Sequence, residues 1–209
     1  MSKSFEEALE FRHACKEFDT NQTISDTDIE FILNAARLSP SSYGLESSQY
    51  IVITNDKLKS EIQKASMNQS QISNCSHLVI VLAGIDETKI ASGIPRKRFE
   101  RLNMPKENLE FFLSLYESFS DKHLFDDKSI YHWSSKQSYI SIGNMMTAAA
   151  VKGIDSCPIE GFEKEKVETI LNLDTSLHQV ALVLPFGYRK NNQSSLVRQD
   201  LSDIVQYIK

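Results

Sequence analysis

Three short apolar runs constrain the fold of this 209-residue chain more than any other feature. They occupy residues 49–55, 77–84 and 179–187, are rich in β-branched residues, and are bounded by turn formers. Runs of this length predict strands, and their nearly continuous apolar character predicts burial on both faces. The chain is therefore expected to be built around a β-sheet made from these three runs.

Helical patterns occupy most of the sequence between the runs. Ser4 and Glu7 have capping-box spacing for an opening helix, and Ser25 and Asp28 can cap a second helix that stops before Pro40. The other predicted helical segments are 56–66, parts of 86–133, 135–153, 163–171 and 200–208. This order of elements predicts the α+β class.

Size and charge limit the class of protein. At 23.8 kDa with 41% hydrophobic residues, the chain can bury one compact core, and we expect a single domain over residues 1–209. A net charge of −5 argues against nucleic acid as a partner. No apolar run approaches the roughly 20 residues that span a bilayer, and the N-terminus lacks a signal-peptide core. We expect a cytoplasmic protein without a membrane partner.

Several kinds of chemistry lack their sequence signals. The seven glycines form neither G-x-G-x-x-G nor a P-loop, and there is no G-x-S-x-G. The five histidines fall in no spacing typical of metal ligands, so no metal is expected. Three cysteines without a C-x-x-C pair predict reduced thiols at Cys15, Cys75 and Cys157.

Four stretches remain that packing alone does not demand. They are RHACKEFD (12–19), LSPSSYG (38–44), PIEGF (158–162) and Arg198 near the C-terminus. Taken singly, each has a bland interpretation: a solvated basic face, a helix stop, a Pro/Gly turn and a lone surface cation. Taken together and in this order, they resemble the motifs of the FMN-dependent nitroreductase family.

The resemblance extends from Phe11 to about Val205 and implies both fold and activity. It implies a central β-sheet flanked by helices, with a long core helix at a dimer interface, which Trp133–Gly153 resembles. It further implies a homodimer with FMN at the subunit interface. The implied activity is ping-pong hydride transfer from NAD(P)H through FMN to a small-molecule acceptor such as a nitroaromatic, a quinone or free flavin.

The resemblance also implies roles for individual residues. Arg12 and Arg198 would hold the flavin phosphate, and Lys16 would tune the flavin ring without any side chain being an obligatory general acid. Glu160 and Gly161 would act through backbone amides facing the ring. The implied cofactor contacts are Arg12, His13, Ala14, Lys16, Pro40, Ser41, Ser42, Gly44, Asn68, Gln71, Pro158, Ile159, Glu160, Gly161 and Arg198, with residues 40–42 reaching the partner subunit's flavin. Phe125 is the expected substrate contact.

Some positions depart from the family pattern. Ala14 replaces a common hydroxyl, and Gln71 and Leu196 replace common lysines, so we expect weaker FMN binding and a lower flavin potential. GLESS (44–48) lacks the usual aromatic residue. Two alternatives stay open: a flavin-binding or redox-sensing protein with low turnover, and a specialised reductase such as a dehalogenase or an enoate-type reductase.

A second basic segment, IPRKRFER (94–101), carries four cations within six residues. One interpretation is a solvated helix face. The other is an arginine at the edge of the pocket that favours the 2′-phosphate of NADPH over NADH.

Overall fold

The computed structural model describes residues 2–209, which form a four-stranded antiparallel β-sheet with helices packed on both faces. The strands are β1 (Ser48–Ile53), β2 (His77–Gly84), β3 (Asp155–Ser156) and β4 (His178–Gly187). Their order across the sheet is β1-β2-β4-β3, so β2 and β4 form its centre. The predicted α+β class and central sheet are confirmed.

The three apolar runs are strands, but the prediction of burial on both faces is wrong for the first. Every residue of β2 is buried, and so are the last eight residues of β4. β1 lies at the edge of the sheet, and Gln49 and Val52 are exposed on it. An edge strand has a neighbour on one side only, so its apolar character does not require complete burial.

The first two helices begin at their predicted caps. In α1 (Phe5–Phe11), Ser4 Oγ accepts a hydrogen bond from the Glu7 amide at 3.2 Å. The Glu7 carboxylate in turn accepts a hydrogen bond from the Ser4 amide at 2.7 Å. Ser25 caps α2 (Asp26–Arg37). The other helices are α3 (Asp56–Lys64), α4 (Ser70–Ser73), α5 (Ile94–Glu100), α6 (Lys106–His123), α7 (Asp127–Val151), α8 (Lys164–Ile170) and α9 (Leu201–Ile204).

The long helix α7 begins eight residues before the predicted start. Asp126 accepts a bond from the Ser129 amide and Ser129 bonds back, which makes a capping box ahead of the apolar periodicity. The helix ends at Val151, and Gly153 follows it at the predicted C-terminal cap with a φ of 71°, which suits glycine. None of the helices within residues 2–209 combines the length and apolar character needed to cross a membrane.

Three apolar clusters hold these elements together. On one face of the sheet, α3 and α8 contribute Ile62 and Val167, and on the other face α2 and α7 contribute Ile32 and Ile142. A third, largely aromatic cluster joins α5, α6 and the start of α7. The aromatic residues of 86–133 therefore mainly fill this cluster.

Candidate functional site

The segment RHACKEFD leaves α1 and runs along the sheet edge formed by β3. Arg12 closes the helix through its backbone amide, which bonds to Ala8 at 3.0 Å. Ala14 then pairs with Ser156 of β3 in parallel orientation, and the Cys15 amide bonds to the Ser156 carbonyl at 3.1 Å. This pairing fixes the segment beside the edge strand.

The two cations of this segment have no acidic partner. No carboxylate within residues 2–209 forms an ion pair with Arg12 or Lys16. The neighbouring Glu17 is instead paired with Lys190 at 2.6 Å. Two unpaired positive charges four residues apart favour binding of an anionic group.

A buried acid beside this segment was missed by the sequence analysis. Asp155 is 3% exposed and binds Arg189 through both carboxylate oxygens, at distances of 2.7 to 3.0 Å. His13 Nδ1 lies 3.5 Å from Asp155 Oδ1, yet it makes no hydrogen bond among the described residues. Burial, followed by the charge of Arg189, lowers the pKa of His13. His13 is therefore a neutral ring near neutral pH.

The same cluster bears on metal binding. The ligand atoms of His13, Cys15 and Asp155 lie within 4.8 Å of one another. The Arg189 guanidinium already neutralises the carboxylate, and burial raises the pKa of the Cys15 thiol to about 11. A metal ion would have to displace the arginine and deprotonate the thiol, so the absence of a metal stays our prediction.

A cavity of about 240 Å³ opens on this segment. Its lining residues are His13, Ala14, Cys15, Lys16, Glu17, Asn191, Asn192 and Ser194. It therefore joins the N-terminal motif to the chain that follows β4. Ala14 is exposed at this cavity and offers it no hydroxyl.

The PIEGF turn packs against the loop before α4. Gln69 Nε2 donates to the carbonyl of Gly161 at 2.9 Å and to that of Ser66 at 3.1 Å. In the same loop, Met67 and Asn68 adopt left-handed φ values of 56° and 54°. A Cβ on Gly161 would lie 3.4 Å from the Met67 sulfur, so a small residue suits this turn.

The turn is anchored on its other side as well. Ile159 pairs with Val183 of β4 through backbone bonds of 2.9 and 3.2 Å. Tyr139 of α7 donates a hydrogen bond to the Glu160 carboxylate. Pro158 and Glu160 are exposed beside these anchors. The predicted contacts of the turn are thus held on the surface by the sheet and by α7.

Gln71 links the loop to the first segment. It is 4% exposed, and its Nε2 lies 3.0 Å from Gln69 Oε1 and 4.0 Å from Cys157 Sγ. Lys16 Nζ lies 3.6 Å from the same sulfur. The structure therefore brings three of the predicted motifs together around Cys157.

The residues of LSPSSYG lie at a different cavity, of about 250 Å³. Pro40 and Ser41 line it, and the Ser42 amide donates to Gln137 of α7 at 3.0 Å. Gly44, with φ of 61°, follows in the same turn. The two cavities share no lining residue, so one chain does not gather residues 40–44 with Arg12 and Lys16.

Arg198 and Phe125 are also separate from the first cavity in the single chain. Arg198 lies in the exposed segment 194–209 and bonds to the carbonyl of its neighbour Val197. Phe125 is 75% exposed just before α7. Their assigned contacts stay predictions.

The second basic segment forms α5, and three of its cations are paired. Arg96 binds Glu110 at 2.9 Å, and Arg101 binds Glu46 at 2.8 Å. Arg98 is less exposed than the other two and binds Glu87 at 2.6 Å. The pairing leaves no free arginine here for a 2′-phosphate.

Fold and site together define an α+β protein in which the N-terminal segment, one loop and one turn meet at the β3 edge of the sheet. The chain belongs to the nitroreductase family: the model of that family matches residues 9–188.

Relatives and solved structures agree with this assignment. The protein YfkO of Bacillus subtilis (strain 168), whose name places it among NAD(P)H nitroreductases, is 40% identical over 212 residues, covering 97% of this chain and 96% of YfkO. A nitroreductase-like protein of Streptococcus mutans has a TM-score of 0.87 at 17% identity, with 98% of each chain covered. A nitroreductase of Exiguobacterium sibiricum 255-15, solved in complex with FMN, has a TM-score of 0.84 at 21% identity, covering 100% of this chain and 99% of that one.

Proposed function

We propose that this protein is an NAD(P)H-dependent FMN oxidoreductase that reduces nitroaromatics, quinones or flavins. The observation that carries the proposal is the pair of cations, Arg12 and Lys16, which form no ion pair with any described carboxylate; Lys16 also lines the first cavity. Acidic proteins bind phosphate through such local charges. Membership of the nitroreductase family and the name of YfkO support the same activity.

The residues present fit FMN. His13 Nδ1 is buried without a hydrogen-bond partner, the cations are unpaired, and the small residue Gly161 lets main chain approach a flat ring. FMN, when bound, supplies hydride transfer between NAD(P)H and an acceptor, which no side chain can perform. The family resemblance assigns no tightly built nucleotide site to NAD(P)H, in keeping with the missing G-x-G-x-x-G.

The chain's own residues then bind and orient the cofactor. Arg12 offers a planar set of N–H donors to a phosphate, and Lys16 offers a point charge to a group that gains negative charge on reduction. The turn at Glu160 and Gly161 offers backbone amides. Catalysis in this proposal consists of positioning and electrostatics, with no side chain as an obligatory acid.

The proposed assembly is a homodimer with FMN at the subunit interface, each chain acting as a single FMN-binding domain. Two observations support it: the predicted contacts divide between two cavities, and the segment 194–209 lies fully exposed on the single chain. A partner subunit would bring the second set of contacts to the first cavity. Three buried, unpaired thiols support the proposed cytoplasmic location.

The test is a visible spectrum of the purified protein, followed by anaerobic addition of NADPH or NADH and then of a nitroaromatic or a quinone. We expect flavin bands that bleach with pyridine nucleotide and return with the acceptor. No flavin binding, even after reconstitution with excess FMN, would contradict the proposal.

One alternative is retained because of the cavity's lining. Ala14 offers no hydroxyl to a phosphate, and the amide of Gln71 stands where a cation is common in the family. These losses favour a flavin-binding protein with low turnover. FMN that binds but is not reduced by either nucleotide would select this alternative.

A further inference from the structure

Cys157 occupies the point where three segments of the proposed site meet. It follows β3 and is 0% exposed. Its sulfur lies 3.6 Å from Nζ of Lys16, in the segment after α1, and 4.0 Å from Nε2 of Gln71, in α4. Both neighbours are N–H donors, so the sulfur is their shared acceptor.

The sulfur differs from the usual partner of a lysine in this protein. Lys152, Lys164 and Lys190 bind carboxylates at 3.1, 2.9 and 2.6 Å, which cancel their charge locally. At Cys157, burial raises the pKa of the thiol, and the opposing influence of Lys16 and Gln71 does not reverse the shift. The thiol is therefore neutral near pH 7, and the Lys16 charge stays uncompensated.

A chain of amides steadies the sulfur's other neighbour. Gln71 donates to Gln69 at 3.0 Å, and Gln69 donates to the carbonyl of Gly161 at 2.9 Å. The Lys16 ammonium is thus connected, through Cys157 and two glutamines, to the PIEGF turn.

We propose that Cys157 is a positioning residue, which fixes the Lys16 ammonium at the flavin site while leaving its positive charge intact. This inference rests on the proposed function and deepens it. A fixed, uncompensated cation favours the reduced flavin, which is the more negatively charged form. A hydroxyl at position 157 would still hold the Lys16 ammonium, a methyl group would release it, and a carboxylate would neutralise its charge.

The first test needs no flavin. The thiol of Cys157 is titrated by NMR of ¹³Cβ-labelled cysteine in the wild type, Lys16→Met and Lys57→Met. We expect Lys16→Met to raise the pKa of Cys157 and the control, which removes an exposed cation of α3, to leave it unchanged. An unchanged titration in Lys16→Met would overturn the contact and the proposal with it.

The second test measures the midpoint potential of bound FMN in the wild type and in Cys157→Ser, Cys157→Ala and Cys157→Asp, with far-UV circular dichroism to confirm folding. We expect the midpoint potential of Cys157→Ser to match that of the wild type and the potential of Cys157→Ala to be lower. In Cys157→Asp the preference for reduced over oxidised flavin should fall about tenfold, which corresponds to a midpoint potential lower by about 30 mV for a two-electron couple.

Equal potentials in all four proteins would refute the positioning role. If Asp alone fails to fold, the Ser and Ala pair still decides, because Ala must fall below Ser. Failure of the wild type to bind FMN would instead contradict the proposed function and the tuning, while the NMR titration would still decide whether Cys157 holds Lys16.

Discussion

Two basic segments of this molecule differ in how their charges are paired. In residues 94–101, three arginines are paired with Glu110, Glu87 and Glu46. In residues 12–19, Arg12 and Lys16 are paired with none of the described carboxylates. Three of the four cations in the denser cluster are therefore neutralised within the chain, whereas the two in the sparser cluster have no such partner among the described residues.

The difference teaches that pairing, and not the number of cations, locates an anion site. The partners of α5 come from distant parts of the chain, before β1, after β2 and in α6. Only the fold reveals that these charges are already neutralised. The following experiments measure each side of the comparison, beginning with the largest expected effect.

Removing the partly buried arginine, Arg98, should damage folding most. Arg98 binds Glu87 at 2.6 Å and also donates to the carbonyl of Leu45. Arg98→Ala leaves Glu87 buried without its strongest partner, so we expect a loss of about 3 kcal/mol in the free energy of unfolding. Urea denaturation at pH 7 measures it. A loss below about 1 kcal/mol, the range of exposed pairs, would show that Arg98 is dispensable.

The matching change in the other segment should spare the fold and remove the ligand. Arg12→Ala deletes an unpaired guanidinium, so we expect the free energy of unfolding to change by less than about 0.5 kcal/mol. FMN binding should weaken by about 2 kcal/mol, or roughly 30-fold, because a charge-assisted contact is lost. Fluorescence titration with FMN measures this, with Arg96→Ala as the control. Equal affinities in the two variants would refute the assignment of Arg12.

Acid should weaken the structural cluster specifically. Burial acts to raise the pKa of Glu87, but hydrogen bonds from His178 and Arg98 outweigh it and lower the pKa. A carboxyl group with a lowered pKa in the folded state stabilises above its unfolded pKa, and this stability is lost as the pH falls through the folded pKa. As the pH falls below about 4.5, the free energy of unfolding of Glu87→Gln should therefore decrease less steeply than that of the wild type. Parallel acid profiles for the two proteins would contradict this.

The smallest effect is expected at the surface of the same helix. Arg96 and Glu110 are about half exposed and bind through two parallel contacts of 2.9 Å. Exposed pairs contribute about 0.2 to 1 kcal/mol, so Arg96→Ala should cost no more than this. High salt should reduce the difference further, because the pair is screened. Urea curves at low and high salt test it, and a cost equal to that of Arg98→Ala would remove the distinction between buried and exposed pairs.

Much of the fold could be predicted because it is written in local patterns. The run 77–84 matches β2 residue for residue, and the caps at Ser4 and Ser25 begin their helices. The position of a strand within the sheet cannot be read from its own residues. The prediction that β1 is buried on both faces was wrong for this reason. The segment IDSCPIEGF (154–162) predicts a short extended piece and a tight turn, and β3 lies within it, but a strand of two residues carries no alternation that would fix its bounds.

The candidate site was predicted only in part, because some of its contacts also depend on how distant segments pair in the fold. Motif resemblance located Arg12, Lys16 and the PIEGF turn, which the fold brings into one region. Asp155 and Arg189 were missed, since they are 34 residues apart in the sequence and are brought together by the antiparallel pairing of β3 with β4. An ion pair of this kind has no spacing signal in one sequence.

The central pairing of β2 with β4 also bears on how the chain is made. β2 ends at residue 84 and its partner begins at residue 178, with four α-helices between them, the longest of twenty-five residues. Such distant pairing must wait for loop closure over a long stretch of chain, which slows folding. During synthesis β2 is made well before β4, so its apolar residues, all buried in the folded chain, have to wait for their central partner.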